Sequence, residues 1–284
     1  MVISKSKKYL GSAILKLLVM VSALFTFAVL FFLIGHILIN GLPHLSWDLF
    51  ALEYNTENVS MMPAIMNTLT ITLLALLIAV PVGIFSAIYL VEYAKKENRF
   101  VGLIRLTTET LSGIPSIVYG LFGMLFFVTA LKWRHSLLAG AFTVAIMVLP
   151  SIMRTTEEAL KSVPDSFREG SFGLGAGKLR TVFRIVLPSA IPGILAGIIL
   201  AIGRIVGETA ALIYTAGTVA EIPDSIMDSG RTLAVHMYNL SNEALYMNQA
   251  YATAVVLLVL VIGINTLSGF AAKKLTKGNG NGEN

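Results

Sequence analysis

The chain has 284 residues, of which 56% are hydrophobic and 13% charged, with a mean hydropathy of +0.79; soluble domains carry about 25% charged residues, so an ordinary soluble fold is excluded and a polytopic helical membrane protein is indicated. The apolar runs are continuous rather than alternating, which excludes a membrane β-barrel. The net charge of +5 fits basic loops on one side of a membrane, and the basic clusters lack the interleaved aromatics of a nucleic-acid surface.

About 20 apolar residues cross a bilayer, and six such runs occur, roughly 17–39, 65–91, 110–131, 137–153, 192–215 and 249–271. The expected class is therefore an all-α membrane protein with six transmembrane helices. The first run is too long for the core of a signal peptide, and no A-x-A site follows, so it reads as a retained helix. It forms, with the acidic outer loop bearing Asp48, Glu53 and Glu57, an N-terminal unit over 1–63. The core spans 64–272, and a low-complexity tail, expected to be disordered, covers 273–284.

Orientation follows from the cations. With the N-terminus inside, the inner segments hold Lys5, Lys7, Lys8 and Lys16, then Lys95, Lys96, Arg99 and Arg105. They also hold Arg154, Lys161, Arg168, Lys178, Arg180 and Arg184, and finally Lys273, Lys274 and Lys277. Only Lys132, Arg134 and Arg231 fall outside, so both termini are expected in the cytoplasm. Trp47 and Trp133 would lie at the outer interface. Pro81 and Pro115 interrupt spans two and three, which neighbouring helices can tolerate.

The third inner segment is the longest. Pro164 should end the helix that leaves span four. Ser166-x-x-Glu169 then reads as a capping box, opening a short helix to about Leu174. Gly175 and Gly177 should supply a turn. A second helix, Lys178 to Val186, should stop before Pro188. GLGAGKL is not a phosphate-binding loop: the pattern G-x4-G-K-[ST] would need Gly at 172 and Ser or Thr at 179, where Phe172 and Leu179 stand. Energy must therefore reach the chain from a partner or an ion gradient.

Span five places Arg204 and Glu208 near its middle. Charges there are costly and face a bundle interior or a wet cavity. The i, i+4 spacing predicts one helix face for both. They could form an internal salt bridge, or Arg204 could meet an anion in transit with Glu208 moderating its grip. Thr209, Tyr214 and Thr215 could add hydroxyls. In span three, Ser112, Ser116 and Tyr119 could line the path, or could re-satisfy carbonyls freed by Pro115. No cysteine is present, and no histidine has metal-ligand spacing, so neither metal nor cofactor is expected. Glu157-Glu158 reads as a solvated helix face, and no catalytic constellation emerges.

Glu169, Gly175, Ile185, Leu187 and Pro188 fit the spacing E-A-A-x3-G-x9-I-x-L-P, with Gly170 and Ser171 in place of the alanines. The segment resembles the EAA motif of ABC importer permeases, type I and MetI-like. That resemblance implies a cytoplasmic coupling helix docking on an ATPase, with Glu169 and Gly175 at the matched positions and Ser166, Phe172 and Leu174 on the same element. SGIPSIVYGLFG (112–123) and GRIVGETAALIYTAG (203–217) are similar to the phosphate ABC importer permeases. EYAKKENRF and ETAALIYTAG resemble the PstA-type rather than the PstC-type chain of that pair. The resemblance implies a non-catalytic subunit for phosphate uptake in the bacterial or archaeal inner membrane. It would assemble with a second permease, two ATP-binding subunits and an extracytoplasmic phosphate-binding protein. Permeases for molybdate, sulfate or phosphonate are the alternative; an ion-coupled carrier lacks the expected inverted repeat.

Overall fold

The computed structural model describes residues 3–95, 98–242 and 246–280. Among them there are helices and turns and no strand. Lys96, one of the expected inner cations, and the last four residues of the tail lie outside the described residues. Five helices are long and apolar enough to cross a membrane, and a bent helix pair makes a sixth crossing if taken as one span. The multi-pass helical class expected from composition is what forms.

The elements run α1 (Ile3–Gly41), α2 (Met62–Ile88), α3 (Arg99–Ser112), α4 (Ser116–Gly123), α5 (Leu137–Lys161), α6 (Asp165–Gly173), α7 (Lys178–Thr181), α8 (Leu187–Val206), α9 (Ala210–Thr215), α10 (Leu233–Asn242) and α11 (Met247–Gly280). Three π-helical stretches extend them: Tyr89–Tyr93 after α2, Met124–Ala130 after α4 and Val182–Val186 before α8.

α5 is the central beam. In its most apolar stretch 61% of residues are buried, whereas none is in α1. Val144, Met147, Val148 and Ile152 of α5 pack against Ile71, Ala75 and Ala79 of α2 and against Ile205 and Leu212. Non-directional burial of this kind selects branched and small apolar side chains on the facing helices. α1 instead leans on α11, where the Tyr251 hydroxyl lies 3.3 Å from His36 Nε2.

Two proline-bearing stretches differ from plain straight rods and plain stops. Span three is not one rod: α3 and α4 meet at 104° around Gly113–Pro115. The amphipathic α3 therefore lies across the bundle at the end that carries α6. The expected stop before Pro188 does not occur either, and the helix runs from Lys178 to Val206. The π stretch Val182–Val186 ends two residues before Pro188, where an α-helical turn would press the ring against a carbonyl.

At the opposite end the loop before α2 folds inward. Leu49 and Met61 join Leu233 and Ala252, and Val59 joins Leu240. Asn67 donates to the Glu221 and Arg231 carbonyls, and the Leu233 N–H donates to Thr68. The Tyr54 ring centre lies 4.7 Å from the Arg231 guanidinium carbon and 6.2 Å from the centre of the His236 ring, which stands nearly perpendicular to it.

Candidate functional site

The segment after α5 is a helical hairpin. α5 ends at Lys161 and Pro164 adopts an extended backbone before α6, as the sequence predicts. The capping box does not form. Pro164 itself occupies the N-cap position, so Ser166 is already the second helical residue and Glu169 the fifth. At those positions neither side chain can reach back across the first turn. α6 closes at Gly173, and Gly175 turns the chain with φ +80°. Gly177, in contrast, has an ordinary extended backbone.

Ser171 fills one of the two positions where the chain departs from the alanine pair. Its hydroxyl lies 2.8 Å from that of Thr181, both buried. The departure thus ties α6 to α7. Phe167, Phe172 and Leu174 are exposed although the hairpin is outside the apolar spans, and Leu174 is 91% exposed. Beside them Ser166, Gly170, Gly175, Arg180 and Arg184 line a concavity of about 590 Å³.

Span five breaks in its middle. α8 ends at Val206, and Gly207, Glu208 and Thr209 separate it from α9. The predicted shared face for Arg204 and Glu208 is therefore lost. Glu208 is buried and its carboxylate accepts from the Ala211 N–H at 3.0 Å, capping α9. Anionic oxygen at the start of a helix is favourably placed. Arg204 points elsewhere, exposed in the last turn of α8 on the wall of two cavities that share Ser151. Among the described residues no carboxylate lies within salt-bridge distance of it.

The other expected path residues separate into two groups. Ser116, opening α4, and Thr209, at the break, are partly accessible. Thr215 is fully buried and donates to the Ala211 carbonyl. Tyr119 is buried and donates to the Leu111 carbonyl at 2.7 Å, bridging the bend at Pro115. Ser112 donates to the Glu109 carbonyl. Tyr119 and Ser112 are thus engaged in satisfying carbonyls around the bend. Gly120 brings α4 onto α9 so closely that a Cβ there would stand 2.8 Å from the Ala211 Cα.

The family of binding-protein-dependent transport system inner membrane components matches residues 79–278, from the second half of α2 into α11. The chain belongs to this family. The probable ABC transporter permease protein YqgI of Bacillus subtilis is 34% identical over 233 residues, covering 77% of this chain and 79% of that one. The phosphate transport system permease protein PstA of Mycobacterium leprae is 35% identical over 205 residues, covering 71% and 67%. Among solved structures, a bacterial alginate ABC transporter chain superposes with a TM-score of 0.69 at 16% identity, covering 95% of this chain and 98% of that one. A chain of the MetNI methionine ABC transporter does so with 0.59 at 18% identity, covering 76% and 94%. At such identities these two establish the fold, that of a type I, MetI-like ABC importer permease.

A permease of this family works with ATP-hydrolysing and substrate-binding partners. Its sequence conceals one feature of the site. Below Arg204 a cavity of about 380 Å³ is lined by Arg105, Arg154, Lys161, Glu109, Glu157 and Glu158. Glu157 is no solvated residue: its side chain is 14% exposed, accepts from Lys161 Nζ and forms an ion pair with Arg105, both at 2.7 Å. Arg105 arrives there because α3 bends across α5, a long-range event that no local spacing encodes. The i, i+4 spacing of Glu157 and Lys161 is the one local signal available.

Proposed function

We propose that the chain is a permease subunit for inorganic phosphate in an ATP-driven importer, and that Arg204 meets the anion in transit. The observation that carries this reading is the guanidinium of Arg204, which lines an open cavity and, among the described residues, has no carboxylate within salt-bridge distance. A free planar fork suits a phosphate oxygen pair. The relative named as a phosphate transport permease, aligned over 71% of the chain, supports the same cargo.

In this reading the end bearing α6 faces the cytoplasm, as do both termini. A second, PstC-like permease completes the path, and two PstB-like subunits hydrolyse ATP. A PstS-like protein delivers phosphate from outside. The exposed Phe172 and Leu174, with Ser166, Glu169 and Gly175, form the surface that docks on the ATPase. Thr209 and Ser116 flank the path, and Glu208 acts on it indirectly by holding the break open between α8 and α9. Tyr119 and Thr215 support its walls. Chemistry at ATP belongs to the partner subunits, and this chain translocates.

The test is reconstitution of the assembled transporter in proteoliposomes, with ATP available to the ATPase subunits and labelled phosphate offered with the binding protein. Uptake that unlabelled phosphate suppresses, and that equal molybdate, sulfate or phosphonate does not, is expected. Absence of ATP-dependent uptake of labelled phosphate, or uptake that equal molybdate, sulfate or phosphonate suppresses as fully as unlabelled phosphate does, would overturn the cargo assignment.

A further inference from the structure

One side chain of α6, Arg168, hydrogen-bonds to the ends of two spans. A guanidinium has five N–H donors in a fixed fork. Arg168, in α6, makes five polar contacts: Nε and Nη2 to Glu92 Oε1 at 3.1 and 2.8 Å, Nη2 to the Leu160 carbonyl at 2.9 Å, Nη1 to the Val163 carbonyl at 2.8 Å and to Asp165 Oδ1 at 3.1 Å. Leu160 lies in the last turn of α5, where carbonyls lack the usual i+4 donor and its own takes a long 3.4 Å bond from the Val163 N–H, and Val163 lies two residues beyond the helix. The Arg168 and Glu92 side chains are 14% and 8% exposed, against 66% and 64% for the Arg154–Glu158 pair. Shielded from water, the Arg168 pair is screened far less than an exposed one.

Glu92 belongs to the π-helical stretch Tyr89–Tyr93 that ends span two. The same stretch receives the second arm of the hairpin, because Lys178 Nζ lies 5.1 Å from the centre of the Tyr93 ring. Behind it Val182 and Val186 pack with Ile88, Leu160 and Val163 in one buried cluster. Both arms therefore seat on five residues at the end of α2, and one arm also grips the end of α5. A π stretch is rare and recurs at functional positions.

We propose that the Tyr89–Tyr93 turn is the seat through which movement of the hairpin enters α2 and α5, and that Arg168 is the positioning residue that locks the hairpin to it. This rests on the reading that α6 docks on the ATPase. Arg168 would not itself touch ATP, cargo or the ATPase. It makes the hairpin and two spans move as one body, so that closure below is converted into movement at Arg204. Lysine cannot replace it, since three donors on one nitrogen cannot span Glu92 and two separate carbonyls.

The chain has no cysteine, so two can be introduced for labelling. In the complete transporter, nitroxides on Gly173→Cys and Phe85→Cys report the distance between hairpin and span two without reference to cargo. Wild-type Arg168 should give one narrow distance, the same without ATP and with ATP trapped. Arg168→Gln, Arg168→Lys and Glu92→Gln should each make that distance shift or broaden on ATP trapping, while the ATPase subunit still co-purifies. In proteoliposomes the same variants should raise ATP hydrolysed per phosphate imported about tenfold, within the roughly 5- to 150-fold range of coupling energies. Arg168→Gln with Glu92→Gln should be no worse than either alone. An unchanged distance in the variants, or loss of the ATPase subunit from them, would overturn the proposal. A wild-type complex that imports no phosphate would instead refute the cargo, with the distances still deciding the seat.

Discussion

Replacing Arg204 with alanine should separate transport from stability. The side chain is exposed on the cavity wall and has no carboxylate partner among the described residues. Its removal leaves no buried charge uncompensated, the event that costs about 3–5 kcal/mol when one member of a buried pair is deleted. The unfolding midpoint of the detergent-solubilised complex should therefore move by no more than a typical surface substitution, within about 0.5 kcal/mol. Transport loses what the guanidinium supplies to the anion in passage. Hydrogen bonds to charged groups are worth about 1.5–3 kcal/mol, which is a roughly 10- to 150-fold fall in uptake rate. Lysine keeps the charge but not the fork, so Arg204→Lys should fall between the two. The assay is initial-rate uptake of labelled phosphate into proteoliposomes, with co-purification of the ATPase subunit as the control for assembly. Uptake within twofold of wild type would refute the role in the path. A stability loss of several kcal/mol would refute the claim that Arg204 has no internal partner.

Three further outcomes are expected. Gly120→Ala places a Cβ 2.8 Å from the Ala211 Cα and 3.2 Å from the Ala210 carbonyl; backbone must move, so thermal denaturation should register about 1–3 kcal/mol of destabilisation. Gly175→Ala meets open space but keeps φ +80°, a strain of about 1–2 kcal/mol confined to the hairpin; the fraction of ATPase subunit retained on purification should fall while the midpoint of the spans holds. Burial first, and then Arg231, lower the pKa of His236 to about 3, with the Val59 backbone opposing. The unfolded imidazole protonates near 6.5 and the folded one does not, so stability is full above pH 6.5 and falls by about 1.4 kcal/mol per pH unit below it, about 2 kcal/mol at pH 5. His236→Gln should flatten that slope between pH 7 and 5 in thermal melts.

Features set by residue type and short spacing were legible in the chain. The apolar runs located the spans because bilayer thickness fixes their length. Pro164 and Gly175 located the hairpin because a missing N–H and a positive φ are local requirements. What failed was geometry decided by partners. Arg204 and Glu208 read as one face because the i, i+4 rule presumes an unbroken helix, yet Gly207 ends α8 between them. Ser166 read as a cap because S-x-x-E matches the motif, yet Pro164 claims that position first. Pro188 read as a stop because nothing local announces a π stretch before it. Arg168 carried no signal at all, since Glu92 is 76 residues away in the chain.

α5 explains how two regions read separately can act as one. Ser151 on α5 lines both cavities that Arg204 faces. Ten residues further on, at Leu160 and Lys161, the same helix reaches the carbonyl that Arg168 grips and the ammonium that pairs with Glu157. At 1.5 Å per residue that is about 15 Å of continuous helix. Its side chains are the most buried among the spans, and close-packed interiors transmit displacement rather than absorb it. A shift of the hairpin imposed through the seat would thus arrive at the Arg204 cavity along one element, with no relay of separate contacts required. Arg105 joins this path from the side, because its bond to Glu157 ties the bent α3 to the same beam. On the proposed reading the cavity below Arg204 would then widen or narrow as α3 and α5 part or close, and Glu157, paired with Arg105 on its wall, would be where the coupling motion meets the path.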